Sequence, residues 1–136
     1  MIIFLVKMHI IIIDYHFHVY DSAAEIITQA KQFSSQLNCV YTYSMYLFYQ
    51  GLISITQMKK AQSEDTSIWK HLLNQSISWL EAWSETAPEN FKVKLMLLIA
   101  EKHGCVSNDH IKALELYNEA IGLSRDYNQS HAFRGN

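Results

Sequence analysis

Apolar residues along this chain recur at helical spacing far more often than they alternate. Ala23, Ile27, Ala30 and Phe33 lie on one helical stripe, opened by Asp21-Ser22, whose side chains suit a helix start. Asn38 marks a break. Val40 to Ile55 is rich in aromatics, and Tyr41, Met45, Phe48 and Leu52 at i, i+4, i+7 and i+11 predict the inner face of a helix. Residues 58 to 67 are polar and read as a loop or a solvated helix end. From Ile68 to Glu85 a stripe of Trp69, Leu72, Leu73, Ser76, Leu80 and Trp83 returns, widened by Ile77 and flanked by Trp79.

Thr86-Ala87-Pro88-Glu89 is the clearest punctuation. Thr86 can cap a helix, Glu89 can reach back to it, and Pro88 suits a first turn because its missing N–H costs nothing there. The next helix, Glu89 to about His103, has Phe91, Leu95, Leu98 and Ile99 as core, with Gly104 as a left-handed stop. Asn108 or Asp109 caps a last helix from His110 to about Ser124. It buries Ala113, Leu116, Tyr117 and Ala120 and turns Lys112, Glu115 and Glu119 outward. Residues 125 to 128 read as a turn, and residues 130 to 136 begin a further element.

The beginning is ambiguous. Met1 to Ile13 is apolar except for Lys7 and His9, and Asp14 ends it. That is shorter than the roughly 20 apolar residues of a membrane span, and its charges are misplaced for a secretory signal. Its isoleucines favour a strand locally, whereas the rest of the chain favours helix. Residues 1–20 are therefore an apolar lead-in, helix or strand.

Composition narrows the class. The chain has 136 residues with four glycines and one proline, too few breakers for the many turns of a β-sandwich. Hydrophobic residues make up 49% and charged residues 18%, so it folds around a core. Eleven basic against thirteen acidic residues give a formal charge of −2, with no basic footprint for nucleic acid. Cys39 and Cys105 form no metal or redox motif, and a cytoplasmic protein is the expectation.

The spacing Ala113-x3-Tyr117-x2-Ala120 resembles the second helix of a tetratricopeptide-type repeat, where small residues let two helices approach and a ring fills the gap. Met96, Ile99, Ala100 and His103 stand where the preceding helix of that motif prefers Trp, Leu, Gly and Tyr. The connection between the two helices is one residue longer than standard. Gly135, fifteen residues after Ala120, occupies the glycine place of a following repeat. Ala23-x3-Ile27-x2-Ala30 is a fainter copy. From spacing alone an ordinary antiparallel bundle remains the alternative.

Leu73-Asn74-Gln75, Trp83, Ala87-Pro88-Glu89-Asn90-Phe91, Ala100-Glu101 and Ala113 to Ile121 occur here in one order. Together they resemble the helical-repeat region of very large multidomain sensor kinases. In that family a serine/threonine-kinase-like domain and a nucleotide-binding ATPase domain precede the helical region. A ligand-sensing domain and a histidine-kinase core follow it. The likeness is best from Trp69 to Ala132. Where the family has a Gly-Asp-Tyr turn, this chain has His18-Val19-Tyr20.

The resemblance implies an all-α fold of about six helices, in antiparallel pairs stacked as a short superhelical array, over a single region 1–136 open at both ends. It implies a detached, non-catalytic scaffold segment of two-component signal transduction. Its partners would be proteins, neighbouring repeats or further copies of itself. The alternative is a stand-alone tetratricopeptide-like adaptor that binds a peptide or a partner helix.

Candidate chemistry changes little. His16 and His18 would share a face on a strand and Asp14 and His18 on a helix, but a third metal ligand is lacking unless His9 supplies it. Glu81 and Glu85, one helical turn apart beside Trp79 and Trp83, read as a solvated face rather than an acid–base pair. No kinase loop, P-loop, phospho-accepting histidine motif or nucleophile elbow occurs, so no catalytic, cofactor or metal residue is assigned and no enzyme is expected in the isolated chain. Trp79, off the main stripe, is the candidate contact surface.

Overall fold

A computed structural model describes residues 2–30, 40–61 and 65–134. Among them are six α-helices and no strand: α1 (Ile2–His16), α2 (Tyr20–Ala30), α3 (Val40–Lys60), α4 (Ser67–Thr86), α5 (Pro88–Cys105) and α6 (His110–Arg134). The all-α expectation holds. The chain divides into two compact units, Met1–Ser76 and Ile77–Asn136, with the boundary inside α4.

In the first unit α1, α2 and α3 pack on one another. The lead-in is a helix, not a strand. Its Met8 and Ile11 are buried, three residues apart on one face, so tertiary packing overrides the local preference of isoleucine. The antiparallel α1–α2 hairpin is tied by Lys7 Nζ donating to Gln29 Oε1 (3.0 Å) and Ser22 Oγ donating to Asp14 Oδ2 (2.8 Å). From α2, Ala23, Ala24 and Ile27 are buried.

α3 departs from the single stripe expected of it. Leu52 is buried, but Met45 and Phe48 are only half-buried, and Tyr41's side chain lies outside the described residues. Ser44, Tyr46, Leu47, Tyr49, Gln50, Ile53, Ser54 and Ile55 are all buried. A helix enclosed on several sides has no solvent stripe to betray its inner face. α1 and α2 cover part of α3, and the first half of α4 reaches it through Gln50. The Gln50 amide donates to Leu72 O (3.1 Å), Ser76 Oγ (3.1 Å) and Gln75 Oε1 (3.3 Å). That satisfies a polar group which would otherwise be stranded in the core.

α3 continues to Lys60, so residues 58–60 are its solvated end. α4 starts with Thr66 O accepting from Lys70 N–H (2.9 Å) and Asp65 Oδ1 accepting from Ser67 N–H (3.0 Å). That second bond holds the Asp65 carboxyl below its usual range. The break expected at Asn38 and the glycine at 135 lie outside the described residues.

In the second unit α5 and α6 form an antiparallel pair, with Phe91, Leu95, Met96, Leu98, Ala100, Ala113 and Ala120 buried. Thr86 is not the cap of α5. α4 runs through it, and Ala87 is the N-cap with no side-chain bond, its own N–H donating back to Trp83 O (2.9 Å). Pro88 does occupy the first turn. Gly104 is not a left-handed stop, because α5 runs on to Cys105. The left-handed residue is Asn108, at φ 54°. Gly104 instead sits where the pair is close: a Cβ placed there would lie 3.5 Å from Ala113 Cβ. The turn expected at 125–128 is absent, since α6 passes through it; that stretch is polar but holds no glycine or proline to stop a helix.

Candidate interaction faces

The two helical hairpins are built alike. In the first, α1 ends at His16, Phe17 N–H still reaches Ile13 O (3.0 Å), and His18 takes the left-handed conformation at φ 62°. His18 N–H donates to Tyr15 O (3.1 Å) and Val19 N–H to Asp14 O (2.8 Å). This pair of bonds is the standard way to satisfy a helix's last carbonyls, usually with glycine at the left-handed place. His18 thus stands where the resembled family has its glycine, and the turn forms regardless. In the second hairpin Asn108 takes that place, and Asp109 N–H reaches His103 O (2.8 Å). This return spans one residue more than Val19 to Asp14, as the spacing implied. Val19 and Asp109 then stand just before α2 and α6, their carbonyls accepting from Ala23 N–H (3.2 Å) and Ala113 N–H (3.0 Å).

Ninety residues separate His18 from Asn108, Ala23 from Ala113 and Ile27 from Tyr117. Ala23, Ile27, Ala113 and Ala120 are buried and Tyr117 is half-buried. Ala30 is helical, its side chain outside the described residues. The Tyr117 hydroxyl donates to Glu101 of α5, whose other carboxylate oxygen accepts from the Cys105 thiol (3.6 Å). The ring thus spans the two helices.

Trp79 is 44% exposed, and its ring lies 5.3 Å from Trp83, which in turn lies 5.6 Å from Phe91. These three rings join α4 and α5 within the second unit. Trp69 and Trp83, expected in the core, are only half-buried. Beside this ledge Glu81 and Glu85 are exposed, as a solvated face.

The histidines find tyrosines. His16 Nε2 pairs with Tyr49 OH (3.0 Å) and His18 Nδ1 with Tyr20 OH (2.5 Å). Asp14 accepts from Ser22. No three His, Cys, Asp or Glu side chains gather to hold a metal among the described residues. No described helix is long and apolar enough to cross a membrane.

Electrostatics follow packing. Burial pushes the Tyr46 phenol, whose OH donates to Ile27 O (3.4 Å), well above its usual value, and Tyr49 upward as well. The Lys60 ammonium bonded to Asp21, with Gln57 beside it, holds that exposed carboxyl below its usual range. Partial burial lowers Lys94.

Two apolar faces went unread in the sequence. On α6, Ile111, Leu114 and Ile121 are exposed. They lie off the Ala113–Ala120 stripe, and their i, i+3, i+10 spacing was the available signal. On α1 and the residue after it, Ile10, Ile13 and Phe17 are likewise exposed at i, i+3, i+7, hidden from a pattern reading by a run apolar on every side.

Comparison with curated proteins and with solved structures returned no match. The profile of a family described as CHK1-like, TPR repeats matches residues 4–134. A match over nearly the whole length of an all-helical chain carries one conclusion. The chain belongs to the family of CHK1-like TPR repeats.

Proposed function

We propose that the chain, as one helical-repeat region over residues 1–136, is a non-catalytic scaffold working through helix–helix contacts with other proteins. In this reading it corresponds to the helical segment of a multidomain sensor kinase and serves cytoplasmic signal transduction. The observation that carries it is the use made of the polar side chains. Gln50, Ser76, Glu101 and Tyr117 tie helices together, while Trp79, Ile111, Leu114 and Ile121 stand exposed as large apolar groups. TPR-type repeats generally act by binding protein surfaces. Ala23, Ile27, Ala30, Ala113, Tyr117, Ala120 and Gly135 are the structural positions of the repeats, and Trp79 is the contact residue.

The test is capture of partners on the immobilised full chain beside Trp79→Ala. Capture by the first and loss by the second, with the helical fold retained, is expected. Equal capture by both would remove Trp79 from the reading. A kinase and ATPase assay on the same preparation should give no turnover. Reproducible turnover absent from a cleanly prepared variant would overturn the scaffold reading. Trp79 on its aromatic ledge also favours the adaptor alternative, in which a short peptide quenches or shifts tryptophan fluorescence on binding.

A further inference from the structure

The repeats supply a template for what covers an outer helix face. The first helices of the three pairs end at His16, Lys60 and Cys105, 44 and 45 residues apart. The second helices of the outer pairs are in register at ninety. One joint between a second helix and the next first helix is that of α2 on α3. There Asp21 accepts from Gln57 Nε2 (3.4 Å) and Lys60 Nζ (2.5 Å), Ala24 is buried, and Ile27 O accepts from Tyr46 OH (3.4 Å). The two helices run antiparallel.

Moved by ninety residues, Asp21 and Ala24 become Ile111 and Leu114, which are 76% and 62% exposed. Moved back by 44, Gln57 and Lys60 become Ile13 and His16; Ile13 is 55% exposed, and Phe17, the next residue after His16, is 75% exposed. The equivalents of both sides of an existing joint are therefore open, one on the last helix and one on the first. The polar pair of the internal joint, Asp21 with Gln57, has become Ile111 with Ile13, so the two open faces match in chemistry as well as in position.

We propose that the chain associates with a second copy of itself head to tail, α1 of one copy lying on the outer face of α6 of the next, as α3 lies on α2. The interface is heterologous, so each added copy presents the same two faces and assembly does not stop at a dimer. It is also small. Each face offers roughly 300–400 Å² of apolar surface, an ordinary single patch, and a pair with its polar rims only approaches the roughly 1,200 Å² at which specific interfaces begin. Association is accordingly weak and depends on concentration. The inference rests on the reading of helix faces as contact surfaces, but fails separately from it: a parent chain that captures partners and yet never self-associates removes this inference alone.

Analytical ultracentrifugation of the full chain over a wide concentration range is the test. The mass should rise past that of a dimer. Leu114→Glu and Ile13→Glu should each remain monomeric, with thermal melts like the parent's since both side chains face solvent. Mixed together, each contributes its one intact face, and the mixture should form a dimer that grows no further. Ile111→Lys and Phe17→Lys provide a second, independent pair. A parent that stays monomeric up to roughly millimolar concentration, well beyond the micromolar range of modest interfaces, overturns the proposal. So does an Ile13→Glu variant that still dimerises, which would place α6 against α6, or a mixture that does not assemble.

Discussion

At the scale of single residues, the two hairpin connections use side chains that the left-handed backbone disfavours. A non-glycine residue there costs roughly 1–2 kcal/mol through Cβ crowding, less for asparagine, and glycine returns part of that as freedom in the unfolded chain. His18→Gly should therefore stabilise the chain by about 0.5–1 kcal/mol, although it gives up the bond to Tyr20. Asn108→Gly should gain less. The melting temperature and denaturant midpoint check both, and a fall for His18→Gly would mean that its imidazole contributes more than its backbone costs. The reverse change applies inside helices. Gly104 sits in α5 and Gly122 in α6, and a Cβ at either meets nothing closer than ordinary contact. Gly104→Ala and Gly122→Ala should each raise stability by roughly 0.5–1 kcal/mol from helix propensity. For Gly104 that outcome would also show that the approach of α5 to α6 does not require glycine.

Among the elements, α3 carries the first unit's core, and its polar residues are the sensitive ones. Gln50→Ala removes two amide N–H donors shared among three acceptors and leaves a void, and should cost about 2–3 kcal/mol. Gln50→Leu keeps most of the volume and should cost less than half as much, because the Ser76 hydroxyl can turn to the Leu72 carbonyl. A double-mutant cycle with Ser76→Ala measured by chemical denaturation should return a coupling of about 1 kcal/mol. The buried tyrosines set a pH limit. The folded state raises the affinity of Tyr46 and Tyr49 for their protons, so above the ordinary phenol value of about 10 the unfolded chain releases protons that the folded chain keeps. Stability is whole below that pH and falls as pH rises through it. Denaturant midpoints measured near pH 8 and near pH 11 should differ less for Tyr46→Phe than for the parent.

The elements also show where sequence was a good guide. α5 and α6 were legible because Pro88 and Asp109 mark their starts and Ala113 and Ala120 mark the face between them. Thr86 misled because it is the last residue of α4, leaving Ala87 as the N-cap of α5, and Gly104 because α5 runs one residue past it. α3 misled for the opposite reason, being buried nearly all round. The exposure of Trp79 was legible from its place off the stripe. The outer faces of α1 and α6 were not, because an unpaired apolar face looks in sequence like any other core.

Over the whole molecule, the two compact units are unequally furnished. Up to Ser76 the core takes large side chains from four helices, among them Ile11, Ile27, Tyr46, Leu47, Ile53 and Leu73, fully buried, with Gln50 and Ser76 bonded across the middle. From Ile77 on, Leu80 and Leu98 are the large side chains buried to that degree. Of the 25-residue α6 the described buried side chains are only Ala113 and Ala120. Burial of apolar area is the main source of resistance to opening, at roughly 25 cal/mol per Å². Repeat arrays are also coupled mainly between neighbours, so one end can open without the other. α6 should therefore open at a lower free energy than α3. Native-state hydrogen exchange should show amides from Ala113 to Ala120 losing protection in denaturant before those from Tyr46 to Ile55. If self-association covers α6 as proposed, raising the protein concentration should slow exchange from Ile111 to Ile121 and leave α3 unchanged. Exchange in α6 as slow as in α3 at every concentration would mean that the second unit draws stability from something other than its buried area.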